Sequence, residues 1–161
     1  MDNYGIYILL SIQPNEKYHW ALYVPTDRES GIHAHVANAF NPLTKRVWTL
    51  KHTEISKNTL STTFDIVLAL KVGDCSHWKK YIIFQGTVKD ENMLENERKG
   101  EEEFTYRIYV RRVLKSLHDR RTIVCPDPKL VEGEAVQLAK EHLEAAQSGA
   151  CFIVRKSKYS L

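Results

Sequence analysis

The feature that most constrains this chain is a change of period near residue 75. Before it, apolar residues alternate with polar or small ones, as in Tyr18, Trp20, Leu22 and Val24 set against His19, Ala21 and Tyr23. A period of two is what a half-buried strand requires, since successive side chains point to opposite faces. After it, Tyr106, Tyr109, Val110, Val113, Leu114 and Leu117 recur at spacings of three and four. That spacing defines one face of a helix. Strands first and helices second predict an α+β fold, with about five antiparallel strands carrying three helices.

The strands are expected over residues 4–12, 18–24, 33–40, 45–52 and 62–72, the last more continuously apolar and so read as central. QPNEK supplies Pro14 and Asn15 for a hairpin turn, Pro25 stops the second strand, and NPLTK joins the third and fourth. A short helix over 76–84 would be capped by Asp74 or Ser76 and closed by Gly86, followed by helices over 105–117 and 130–146, the last ended by Gly149. On the middle helix Arg107, Arg111, Arg112 and Lys115 are expected outside. Residues 88–103 are polar, with only Met93 and Leu94 to bury, and read as a mobile acidic loop. Residues 150–157 read as a short terminal strand or tail, and 155–161 as a solvated basic ending.

At 161 residues the chain is one domain, able to bury about 70% of its unfolded surface without a disulfide or metal. Three cysteines at wide spacing, Cys75, Cys125 and Cys151, form no C-x-x-C pair and are expected as reduced thiols. MDNYGIYILLSI has no basic region and no cleavage site, and no apolar run reaches the length of a membrane span, so a cytosolic chain is expected. A net charge of +3 from dispersed residues is too weak and mixed for a nucleic-acid partner. Oligomeric state is left open.

Candidate chemistry centres on His19, flanked by Tyr18 and Trp20 and next to the small Ala21. YHWALYV, the G-x-x-x-H stretch from Gly31 to His35, Trp48 with Leu50, and residues 104–109 together resemble the permuted papain-like superfamily of the lecithin:retinol acyltransferase type. A group of small fungal proteins within it is closer still. The resemblance covers most of residues 4–118. It implies a cysteine nucleophile at a helix N-terminus, activated by His19 and oriented through His35, because a helix end and an imidazole together lower a thiol pKa. FTYRIY stands where that cysteine belongs, which puts Tyr106 at its position.

Three accounts follow. His19, held by His35, acts as general acid or base on a small molecule with Tyr106 as hydroxyl donor, while Trp20, His33, Trp48 and Tyr109 line the pocket. Alternatively the chain is a pseudoenzyme that binds a ligand or protein. In the third, a displaced thiol, best placed at Cys75 beside His77, replaces the missing one. Each residue also has a plain structural role: the tryptophans and Tyr106 as core, His33 and His35 as the wetter side of a sheet. His52, His77, His118 and His142 sit among polar neighbours and read as surface. Imidazoles suit zinc, but catalytic zinc usually takes a helix-borne pair or mixed ligands, so neither a metal nor a cofactor is expected.

Overall fold

Strand formation in the first half follows the alternation closely. The structure, a computed structural model, describes residues 1–14, 18–41, 45–95 and 102–160. Strands β1 (Gly5–Ile12), β2 (Tyr18–Pro25), β3 (Ser30–Asn41) and β4 (Lys45–Ser56) pair antiparallel in succession. Residues 15–17 of the expected hairpin turn and 42–44 of the NPLTK connection lie outside the described residues. Strand β5 (Ile66–Asp74) pairs antiparallel with β1, and β6 (Ile153–Lys156) pairs parallel with β5. The six-stranded sheet has the order β4-β3-β2-β1-β5-β6 and is mixed rather than wholly antiparallel. Among the described residues β5 is therefore interior but one strand from an edge, and β1 and β2 hold the centre. Its buried run from Ile66 to Leu70 reflects cover on both faces.

Four helices accompany the sheet, one more than expected: α1 (Lys57–Thr63), α2 (Trp78–Val88), α3 (Tyr106–Asp119) and α4 (Pro128–Gln147). Helix α1 has little apolar pattern. Ser56 caps it by accepting from the Thr59 N–H, and Leu60 alone is buried. Helix α2 is capped by His77 rather than Asp74 or Ser76, and it runs past Gly86 to Val88, because that glycine is exposed and nothing forces a turn there. Thr105 caps α3 and Asp127 caps α4, while Gly149 follows α4 with a φ of 87°, the left-handed conformation that glycine accepts without strain.

The sheet separates two apolar clusters. Ile6, Ile8, Leu10, Trp20, Leu22 and Val24 point toward α2, α3 and α4 and join Phe84, Ile108, Val113 and Val131 in the main core. Tyr7, Leu9, Ala21 and Tyr23 point the other way, where α1 places Leu60.

Two polar segments are more ordered than their composition suggests. Residues Glu91–Leu94, inside the expected acidic loop, form a 3-10 turn that buries Met93; residues 96–101 of that loop lie outside the described residues. Arg112, expected outside, is 5% exposed: its guanidinium donates to the Met93 and Glu95 carbonyls at 2.8 and 2.7 Å and lies over the Phe104 ring. The C-terminal residues are not a free tail. Ser157 donates to Glu134 at 2.6 Å and Ser160 donates to the Val72 carbonyl at 2.5 Å, with both serines buried.

Candidate active site

The histidines of the central strands meet because of register. Tyr23 pairs with His33 and Leu22 with Ala34 across β2 and β3, which sets His33 and His35 on the face of Ala21 and Tyr23. Close approach of the strands depends on Gly31. A Cβ there would lie 2.5 Å from the Tyr23 ring and hydroxyl, so the phenol occupies the space that only glycine leaves.

The result is a continuous row of aromatic rings. Phe64 lies 5.0 Å from His33, His33 lies 4.7 Å from His35, and His35 lies 5.1 Å edge-on from His19. From His19 the row continues to Tyr106 at 4.9 Å, then to Trp48 at 6.2 Å and Phe104 at 5.3 Å. Phe64 packs against the smaller cluster, while Tyr106, Trp48 and Phe104 belong with the main core, so the row links the two. Tyr106 is the first residue of α3. Its hydroxyl donates to Gln13 Oε1 at 2.9 Å, at the end of β1 where Ser11 pairs with His19.

Burial sets the electrostatics. His33 is 3% exposed, and burial, with help from His35 and His19, pushes its imidazole down to about 3. Burial likewise pushes His19 down to about 4, with His35 adding to the effect, and lowers His35, with Lys51 assisting. All three rings are therefore neutral at pH 7. The groups acting on them are one another and Lys51, none of them a carboxylate. Burial raises the Tyr106 phenol above its ordinary value and pushes Tyr23 up to about 12. His35 Nδ1 and the Tyr23 hydroxyl are buried with no hydrogen-bond partner among the described residues.

Of the residues expected to form a site, the structure brings together His19, His33, His35, Trp48 and Tyr106. Trp20 and Tyr109 lie in the main core instead. Trp20 points to the opposite face from His19 by alternation, and the fully buried Tyr109 donates its hydroxyl to the Val88 carbonyl at 2.9 Å, which leaves neither a surface for substrate. Gln13, Phe64 and Phe104 join the cluster without having been singled out for it. Gln13 carried a signal in its position beside the hairpin turn, and Phe104 in its place two residues before Tyr106. Phe64 carried none, because it was read as part of the strand over 62–72, whereas it follows the last residue of α1.

Cys75 stands elsewhere, at the β5–α2 junction. It is fully buried, its thiol donates to the Tyr4 carbonyl at 3.3 Å, and burial and Asp74 push it up to about 12. All three cysteines are free. His77 is exposed at the α2 cap, whereas His118 accepts from the Cys125 N–H and His142 lies 3.0 Å from the Cys151 carbonyl. His52 is half-buried rather than on the surface. No group of three His, Cys, Asp or Glu side chains among the described residues is disposed to hold a metal ion, and no described helix is long and apolar enough to cross a membrane.

No protein-family model matches this chain, and neither a curated protein nor a solved structure matches it.

Proposed function

We propose that the chain is a cytosolic, cofactor-free enzyme acting on a small molecule, built on a permuted papain-like scaffold whose nucleophile position has become Tyr106. The observation that carries this reading is the ring row itself. Three neutral imidazoles, His33 buried and His19 and His35 half-buried, form a row with a phenol at a helix start, and two of the buried polar atoms on that face have no described protein partner. Buried polar groups are nearly always satisfied, and clusters of perturbed groups concentrate at functional sites.

His19 is the proton acceptor in this reading. An uncharged imidazole takes a proton from a substrate hydroxyl or from water, and the edge-on contact with the His35 ring fixes its orientation. Tyr106 is held by Gln13 at rest and exchanges that acceptor for a developing oxyanion on the substrate. Isomerisation, cyclisation, dehydration and hydrolysis all fit this pair. Thiol chemistry at Cys75 receives no support, because a buried thiol pushed up to about 12 remains protonated and unreactive.

One observation favours a second reading, a binding module without catalysis. No carboxylate acts on the imidazoles, and a base as weak as His19 transfers protons less effectively than one poised near pH 7. Incubating the purified chain and its His19→Gln variant with a cell extract, followed by untargeted mass spectrometry, separates the two. Catalysis requires that at least one metabolite be converted by the wild type and left unchanged by the variant. Identical extracts, with a metabolite merely retained on both proteins, would replace the enzyme with the binding module.

A further inference from the structure

A cavity of about 470 Å³ lies between the C-terminal half of α3, the start of α4 and the 3-10 turn. One wall residue, Arg112, reaches the Phe104 end of the ring row, but the opposite end of the cavity is remote from Tyr106 and His19. Tyr106 opens α3 and Arg120 follows its last residue, so at 1.5 Å per residue the helix separates them by about 20 Å.

Cations outnumber carboxylates on its wall by five to two. Sorting them by partner shows which are committed. Arg112 is bound to the Met93 and Glu95 carbonyls, and Arg111 pairs with Glu132 at 3.3 Å and Glu102 at 3.7 Å. Lys115 pairs with Asp119 at 2.5 Å, and Asp127 caps α4 by accepting from the Lys129 N–H at 2.9 Å. Both carboxylates of the wall are thus engaged. Arg120 and Lys129 are exposed and have no carboxylate partner among the described residues. Met93 and Pro128 add apolar surface beside them.

We propose that this cavity binds a small phosphate-bearing molecule with an apolar body, its anion held by Arg120 and Lys129 and its body against Met93 and Pro128. A guanidinium offers a fork that matches two phosphate oxygens, and an ammonium adds a second charge. The volume falls within the range of small-ligand pockets, and the partly apolar wall explains why a bare anion would be an incomplete ligand.

Calorimetric titration of the full chain with phenyl phosphate, and separately with inorganic phosphate and with phenol, tests this directly. Phenyl phosphate should bind at least about tenfold more tightly than either half. Replacing the two exposed cations together, Arg120→Ser with Lys129→Ser, should weaken it by about tenfold or more, while Lys140→Ser, an exposed cation of α4 outside the cavity, leaves it unchanged. His19→Gln should also leave it unchanged, which makes the outcome independent of the proposed catalysis. Amide shifts on titration should concentrate at residues 115–120 and 127–129. Absence of phenyl phosphate binding at millimolar concentration, undiminished binding by the double variant, or an equal loss in Lys140→Ser would overturn the assignment.

Discussion

Under α2, α3 and α4 the sheet presents Ile6, Leu10, Leu22 and Val24, side chains with no polar atom to satisfy. The opposite face presents Tyr7, Tyr23, His33 and His35, and there the Tyr23 hydroxyl and His35 Nδ1 remain without a described partner. The first face also holds one buried atom without a described partner, His52 Nε2 out on β4, yet along β1 and β2 its side chains are composed as burial alone would select, whereas those of the second are not. The difference teaches that the second face retains polar atoms at the expense of stability, the pattern expected where binding or catalysis needs them.

Truncation in the main core should have the largest effect. Leu22→Ala removes a side chain that is fully buried, and a loss of about 2–5 kcal/mol is expected from the transfer and cavity terms together. Urea denaturation measures it. A loss below 1 kcal/mol would mean that this face is less tightly packed than the contrast requires.

Acid should act on the other face. Above pH about 6.5 these imidazoles are neutral in both folded and unfolded chains, so they contribute no pH dependence. Below it the unfolded chain takes up protons, while the folded chain resists until about 4 at His19 and about 3 at His33. Stability therefore falls as pH falls through that window, by roughly 2–3 kcal/mol at pH 4.5 for each of His19 and His33. Comparing urea midpoints at pH 7 and 4.5 for the wild type and His33→Leu isolates the effect, and the variant should lose markedly less.

Tyr106→Phe deletes the hydroxyl that donates to Gln13 and should cost about 1 kcal/mol, with conversion of any substrate suppressed far more than stability. The smallest shift, and of opposite sign, is expected for His35→Leu. Removing an unpartnered buried nitrogen should leave the midpoint unchanged or raise it by up to about 1 kcal/mol while abolishing function. A large destabilisation would recast His35 as an ordinary packing residue.

The contrast also explains what could be read in the sequence. Strands β1 to β4 and helix α3 were legible because a simple period governs them. Helix α1 was not, since KNTLSTT buries only Leu60 and is held by the Ser56 cap. The docking of the C-terminus was hidden for a related reason: RKSKYSL has the composition of a solvated tail, and its attachment rests on Ser157 and Ser160 reaching Glu134 and Val72. At the site, alternation set His33 and His35 on one face, and the resemblance directed attention to Tyr106. Gln13 and Phe64 were not legible as partners because they depend on where separate segments end in space. Trp20 and Tyr109 looked like pocket wall by residue type, yet their faces turn into the main core.

The central claim is that His19, half-buried, is held neutral within the imidazole row. Following its ring nitrogens by NMR from pH 8 to 3.5 is the most direct measurement. The expected titration midpoint is about 4, with a neutral ring throughout the physiological range. A midpoint at the ordinary value of about 6.5 would show a solvated histidine and contradict the claim.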